Sequence, residues 1–296
     1  MTALDRLSLP VIVLLAAALW IAHSLNLIPP ALADLLARAA PALLIALGLA
    51  LLLGRRAPYG NWMALGVTLA LVSSVAAISF NREAGTFRED YIETLDYTLP
   101  PNVVAVRLSA ELRRTETSVR AAEGRALSGE FRGSLESLLT PSYRVEGDVA
   151  VLTIQEKRRG GLLTLEQVGR GRLTLHLPAA VTVEELTISA AEGNLTLEAE
   201  RLTLRNVQIK LSSGDLSAQF GKSVGLLADL KASGAIAVRI PAELAAEIAL
   251  RGNGANAPRF DEAVYTRRID NVLVPSGAAE TQAQLTLEAG GTITVE

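Results

Sequence analysis

The sequence contains no cysteine. Disulfide frameworks, thiol nucleophiles and cysteine-held metal sites are therefore excluded, although the absence fixes no compartment. Histidine occurs twice, as His23 and His176, which is too sparse for a histidine-rich metal spacing. Aromatic residues make up 4% of the chain, and 4 of its 28 basic residues are lysine. The net charge of -3 gives no global basic signal, so no nucleic-acid partner is expected. A phosphate-binding glycine loop, a nucleophile elbow and a GGxGxD calcium repeat are all missing. The expectation is a non-enzymatic protein with no catalytic residues, no metal ligands and no cofactor.

Long apolar runs, by contrast, are abundant near the start. Half of the 296 residues are hydrophobic, and mean hydropathy is +0.32. Three runs carry most of the excess, and each comes close to the ~20 residues that a helix needs to cross a bilayer. They predict an anchor over residues 1–80 with three transmembrane helices, at about 10–28, 35–53 and 62–80. A buried helical hairpin is the alternative, but the runs leave almost no polar face. Arg55 and Arg56, in the loop between the second and third runs, have no acidic neighbour. By the positive-inside rule that loop is cytoplasmic. The third helix then leads outward, giving a multi-pass cell-membrane protein with an extracytoplasmic C-terminal domain. Ala31-Leu32-Ala33 offers a competing cleavage site. His23 lies near the end of the first run, where water or headgroups are close.

Residues 81–101 read as a polar linker closing with Pro100-Pro101. Period-two alternation then begins. Val104, Val106 and Leu108 fall on one predicted face, and Glu146-Gly147-Asp148 reads as a hairpin turn. Ser134–Thr140 reads as one helical turn or a loop. This β-strand region, 102–170, is expected to pack on or cap a solenoid formed by residues 171–296. Lys157-Arg158-Arg159, before Gly160-Gly161, is the densest basic cluster. It reads either as a solvated turn or as a surface for anionic lipid or polymer.

Residues 171–296 repeat a phrase. EGNLTL (192–197), SGDLSA (213–218), SGAIAV (233–238) and GGTITV (290–295) each set glycine shortly before two aliphatic residues that flank a polar residue or, in SGAIAV, an alanine. Residues i and i+2 of a strand face the same way. Leu195 with Leu197, Leu216 with Ala218 and Ile236 with Val238 are therefore predicted inward, with Thr196, Ser217 and Ala237 outward. A repeat near 20 residues predicts stacked coils that together bury one aliphatic column. The fold class expected is N-terminal transmembrane helices followed by an all-β, single-stranded β-solenoid with a preceding β cap region. An ordinary β-sandwich is the competing arrangement. The C-terminal strands, LTLEAGGTITVE, are expected in an end cap. Glu184-Glu185 and Asp261-Glu262, adjacent in sequence, would face opposite sides of strands. Asp215 reads as a turn residue, and His176 has no evident Ser or Asp partner.

The anchor with APALLIALGLALLLGRR, followed by an outer β domain, resembles the LiaF-like membrane proteins of bacterial cell-envelope stress systems. The segment ALSGEFRGSLESLLTPSYRVEGDVAVLTIQE and the glycine-led repeats are similar to toast-rack β-solenoid domains. The resemblance implies a bacterial, non-enzymatic envelope protein that senses or regulates envelope stress. Its implied partners are the lipid bilayer and a membrane sensor kinase or another envelope protein. The alternative is a structural or adhesive module that binds cell-wall polymer, lipid or further copies of itself.

Overall fold

The computed structural model describes residues 85–160, 168–223, 225–241, 243–276 and 282–296, with residues 70, 73, 74, 77 and 78. Apart from those five, the three apolar runs, His23 included, lie outside the described residues. Among the described residues no helix is long and apolar enough to cross a membrane. Contacts divide the chain into two units. All the strands lie in the one formed by Phe87–Gly160 and Arg170–Glu296.

That unit is all-β. It opens with β1 (Tyr91–Thr98), the 18-residue β2 (Ala105–Ala122), β3 (Ala126–Gly133), β4 (Ser137–Glu146), β5 (Val149–Arg158) and β6 (Gly171–Pro178). The glycine-led stretch gives β7 (Thr182–Glu192), β8 (Leu195–Ala199), β9 (Thr203–Leu211), β10 (Leu216–Phe220), β11 (Leu226–Ala232) and β12 (Ile236–Arg239). Then come β13 (Ala246–Arg251), β14 (Arg259–Phe260), β15 (Tyr265–Arg267), β16 (Val272–Pro275), β17 (Ala283–Ala289) and β18 (Ile293–Val295).

Parallel pairing stacks these strands into a solenoid-like column with two faces. In spatial order the layers are β5–β6, β2, β7–β8, β9–β10, β11–β12, β17–β18 and β13–β14. The first strand of each layer joins one sheet and the second joins the other. β2 is long enough to serve both, pairing through Ala105–Arg114 on one face and Thr115–Ala122 on the other. Antiparallel strands close the ends. β4 lies on β5, and β3 with β1 lies on β6. β16 and β15 close the far end beside β13.

The repeated phrase is one corner of this stack. Leu195, Leu216, Ile236 and Ile293 form a register column, as do Leu197, Ala218, Val238 and Val295. All eight side chains are buried, at most 1% exposed. The glycine before each pair is required by the close approach of layers. A Cβ on Gly214 would lie 2.1 Å from the Gly193 carbonyl oxygen, and φ is +132°. Gly234 would meet the Gly214 oxygen at 2.5 Å. At these corners Gly193 N–H donates to Ser213 (2.9 Å), Gly234 N–H to Gly214 (3.0 Å) and Gly291 N–H to Gly234 (2.9 Å).

Four readings of the sequence change. β17 and β18 do not cap the stack: they sit between β11–β12 and β13–β14, bonded on both sides. Within 102–170, β2, β5 and β6 are layers of the column, because their apolar rows match the coils in register. Ser137–Thr140 is strand, since it pairs with Gln155–Arg158. Val104 is 59% exposed while Val106 and Leu108 are buried.

A bulge changes a further face. Val106 pairs with Val183, yet Arg107 pairs with Glu185, so Glu184 is an extra residue. Val183 and Leu186 both stay inside, and Glu184 and Glu185 both lie on the outer side. Glu184 meets Arg107 there at 3.0 Å. Asp261 and Glu262 are in a turn, where Asp261 Oδ1 accepts from Ala263 N–H at 2.9 Å.

Thr117 is the one register neighbour of Leu195 on β2, only 2% exposed, and its hydroxyl has no hydrogen-bond partner among the described residues. Thr117→Val should therefore raise stability by about 1 kcal/mol, read by urea denaturation. Gly214→Ala should cost about 3 kcal/mol. Gly160→Ala, where nothing lies within 4 Å of the added carbon, should stay within about 0.5 kcal/mol of the parent. Equal midpoints for the two alanine variants would refute the corner assignment.

Candidate functional site

Outward side chains on the sheet containing β8, β10 and β12 also form register rows. One row runs Glu130, Thr174, Ser118, Thr196, Ser217, Ala237 and Thr294, mostly short hydroxyls at the strand spacing of about 4.8 Å. The next runs Asp96, Ser128, His176, Arg120, Glu198, Gln219 and Arg239, in which acids and bases are interspersed. Arg120 pairs with Glu198 at 3.1 Å, and Arg239 with Glu296 at 2.9 Å. Backbone bonding holds these rows in register as one polar face.

At its β1–β3–β6 end the face dips into a shallow open groove of about 560 Å³. Asp96, Ser128, Glu130, Arg132, Arg172 and His176 are on its walls. Arg132 pairs with Glu130 and, at 3.3 Å, with Glu89. Arg172 lies 3.9 Å from Glu116 and stacks over Phe87 at 5.1 Å from the ring centroid. His176, without an evident partner in the sequence, is register neighbour to Ser128, which neighbours Asp96. Antiparallel pairing of β1, β3 and β6 creates that order, and no spacing in the sequence announced it. A Ser–His nucleophile pair needs hydrogen-bond reach, and no such bond joins Ser128 to His176 among the described residues. The groove offers guanidinium donors, carboxylate acceptors and hydroxyls of both kinds, suited to holding a polar extended ligand.

The basic cluster belongs to the end of the stack nearest the groove. Lys157, Arg158 and Arg159 are all exposed at the end of β5. Directly before them, Glu156 is 6% exposed. One of its oxygens accepts from Arg113 N–H (2.7 Å) and the Thr115 hydroxyl (2.7 Å); the other accepts from the Ser137 hydroxyl (2.7 Å). These bonds replace the water the carboxylate loses on burial. Neighbouring Glu136, with 7% side-chain exposure, is held by Arg158 (3.2 Å) and Arg113 (3.8 Å). Burial, then the hydrogen bond to Glu93 and its charge, push the Tyr91 hydroxyl above its ordinary pKa, and the positive charge of Arg159 opposes this. Asp215 is a corner residue: its Oδ1 accepts from Ala235 N–H at 2.7 Å, while its own N–H donates to Asn194 Oδ1 at 2.9 Å.

No protein-family model matches the chain, and no curated protein matches it in sequence. Its fold is similar to that of a putative cell adhesion protein from Clostridium sporogenes, with a TM-score of 0.58 and 16% identity over 69% of this chain and 99% of the other. A putative adhesin from Bacteroides fragilis matches with a TM-score of 0.30 and 12% identity, over 70% of this chain and 98% of the other. At such identities the first likeness speaks to the all-β fold alone. Neither neighbour carries the name of the envelope-stress family that the sequence resembles.

Glu156→Gln tests the buried cluster. An amide nitrogen cannot accept, so at least one of the three bonds is lost, at about 1–3 kcal/mol. The expected result is a lower denaturation midpoint with an unchanged slope. An unchanged midpoint would mean the carboxylate does not hold this corner.

Proposed function

We propose that the chain is a non-enzymatic envelope protein, held in the cell membrane by its three apolar runs. Outside the cytoplasm it presents a polar adhesive face to an extended polymer of the cell envelope. The observation that carries the reading is the pair of mostly polar rows, interrupted only at Ala237, that end in the groove between β1, β3 and β6. Rows at a fixed spacing suit a ligand that is itself extended and rich in hydroxyl or charged groups. Rigid backbone bonding lowers the ordering cost of binding such a ligand. The likeness in fold to a protein named for cell adhesion agrees with the proposal. Restraint of a membrane sensor kinase rests on the sequence resemblance, and no described surface favours it.

The test uses the full chain in lipid nanodiscs, incubated with isolated cell-wall material and pelleted. Retention above empty discs is expected. Arg132→Glu with Arg172→Glu removes two charge-assisted donors from the groove, so retention should fall about tenfold or more. Retention equal to that of empty discs, or undiminished in the variant, would defeat the adhesive reading.

A further inference from the structure

The basic end of the stack has a neighbour set by chain length. The third apolar run ends at Phe80, and the unit begins at Phe87, seven residues on. Seven residues span at most about 25 Å. If the run crosses the bilayer, Phe87 cannot lie farther than that from the lipid surface. Phe87 and Arg88 are themselves fastened to the stack. Phe87 bridges to Arg170, and Arg88 N–H donates to the Arg170 carbonyl at 3.0 Å.

The same corner gathers the basic residues. Gly171, next to Arg170, pairs with Thr115, whose hydroxyl donates to Glu156, the residue before Lys157. Arg159 N–H donates to the Glu136 carbonyl at 2.7 Å. Several nearby acids are already engaged, although exposed Asp90 has no ion-pair partner among the described residues. Glu136 holds Arg113 and Arg158, Glu156 is buried with three donors, and Glu93 accepts from the Tyr91 hydroxyl. Lys157, Arg159 and Arg170 have no carboxylate partner among the described residues. Arg170 Nε is a buried donor without a hydrogen-bond partner among them, and Phe87 is 45% exposed.

We infer that this corner, with Lys157, Arg159 and Arg170 around exposed Phe87, docks onto anionic lipid headgroups of the membrane that anchors the chain. The inference rests on the anchor in the proposed function. Free cations meet headgroup phosphates, and the aromatic ring suits the interfacial layer. Docking fixes the stack by its β5–β6 end, so the β15–β16 end points away from the bilayer. Each basic side chain near an anionic surface contributes about fivefold to the docked population, and salt weakens it.

The experiment uses the full chain in nanodiscs of phosphatidylcholine alone or mixed with phosphatidylglycerol. The absence of native cysteine allows one dye at G160C, beside the cluster, or at I269C, on the β15–β16 turn. Energy transfer to an acceptor on the lipid headgroups reports proximity. Transfer from position 160 should exceed that from 269, rise when anionic lipid is present and fall with added salt. Lys157→Glu with Arg159→Glu should lower the docked-to-undocked ratio about twentyfold or more. Lys157→Gln with Arg159→Gln should give an intermediate loss, and both pairs are on the exposed surface, so the fold survives. Transfer that ignores lipid charge, or survives both double variants, overturns the docking. A chain that does not co-migrate with discs overturns the anchor as well, and is recognised before any transfer is read.

Discussion

Successive layers touch through bare backbone at the glycine corner. Strands in a sheet lie about 4.8 Å apart, and a chain that turns between two sheets has to keep that spacing through the bend. Gly193, Gly214, Gly234 and Gly291 do so by letting each N–H or carbonyl reach the next layer with no side chain between. The leucine, isoleucine, valine and alanine columns depend on that spacing. An outward displacement of one corner would pull Leu195, Leu216, Ile236 and Ile293 out of register together. The polar rows on the outside depend on it equally, because they are the other half of the same alternation.

A stack of similar coils leaves two raw ends, and this chain treats them differently. The far end closes with short strands, β14 and β15, too brief to template further pairing. The near end closes with β1, β3 and β4, and with a buried carboxylate. Glu156 occupies an inward position where the column would otherwise expect an aliphatic residue. It is tolerated because a backbone N–H and two hydroxyls converge on it. Burying Glu156 and pairing Glu136 engages two local carboxylates, and Lys157, Arg159 and Arg170 have no carboxylate partner among the described residues. The near end therefore has a distinct electrostatic character.

The two proposed surfaces are consequences of the same architecture. The polar face lies on the side of the column, and its groove, at the β1–β3–β6 end, adjoins the basic corner, where Arg172 of the groove wall stacks over Phe87. A module docked by the end displays its side. On the proposed function, that geometry would let the anchored chain offer a mostly polar strip to an envelope polymer.

By itself, the sequence determined the local rules. Period-two alternation, the glycine-led phrase and the scarcity of aromatics specify short aliphatic strands stacked in a thin column, because inward positions of every layer must fit the same narrow interior. It also specified the inward pairs, the turn at Gly147 and the exposed basic cluster. Tertiary structure alone decided the order of layers. GGTITV stacks on SGAIAV although β13 to β17 intervene in the chain, because a parallel edge accepts any strand whose apolar row matches in register. The extra residue Glu184 changed the outward face, since a bulge resets the alternation that sequence reading assumes is unbroken. The alignment of Asp96, Ser128 and His176, and the convergence of Arg113, Thr115 and Ser137 on Glu156, come from strands distant in the chain. Pairing between distant strands is set by the free energy of the whole stack, and no local spacing encodes it.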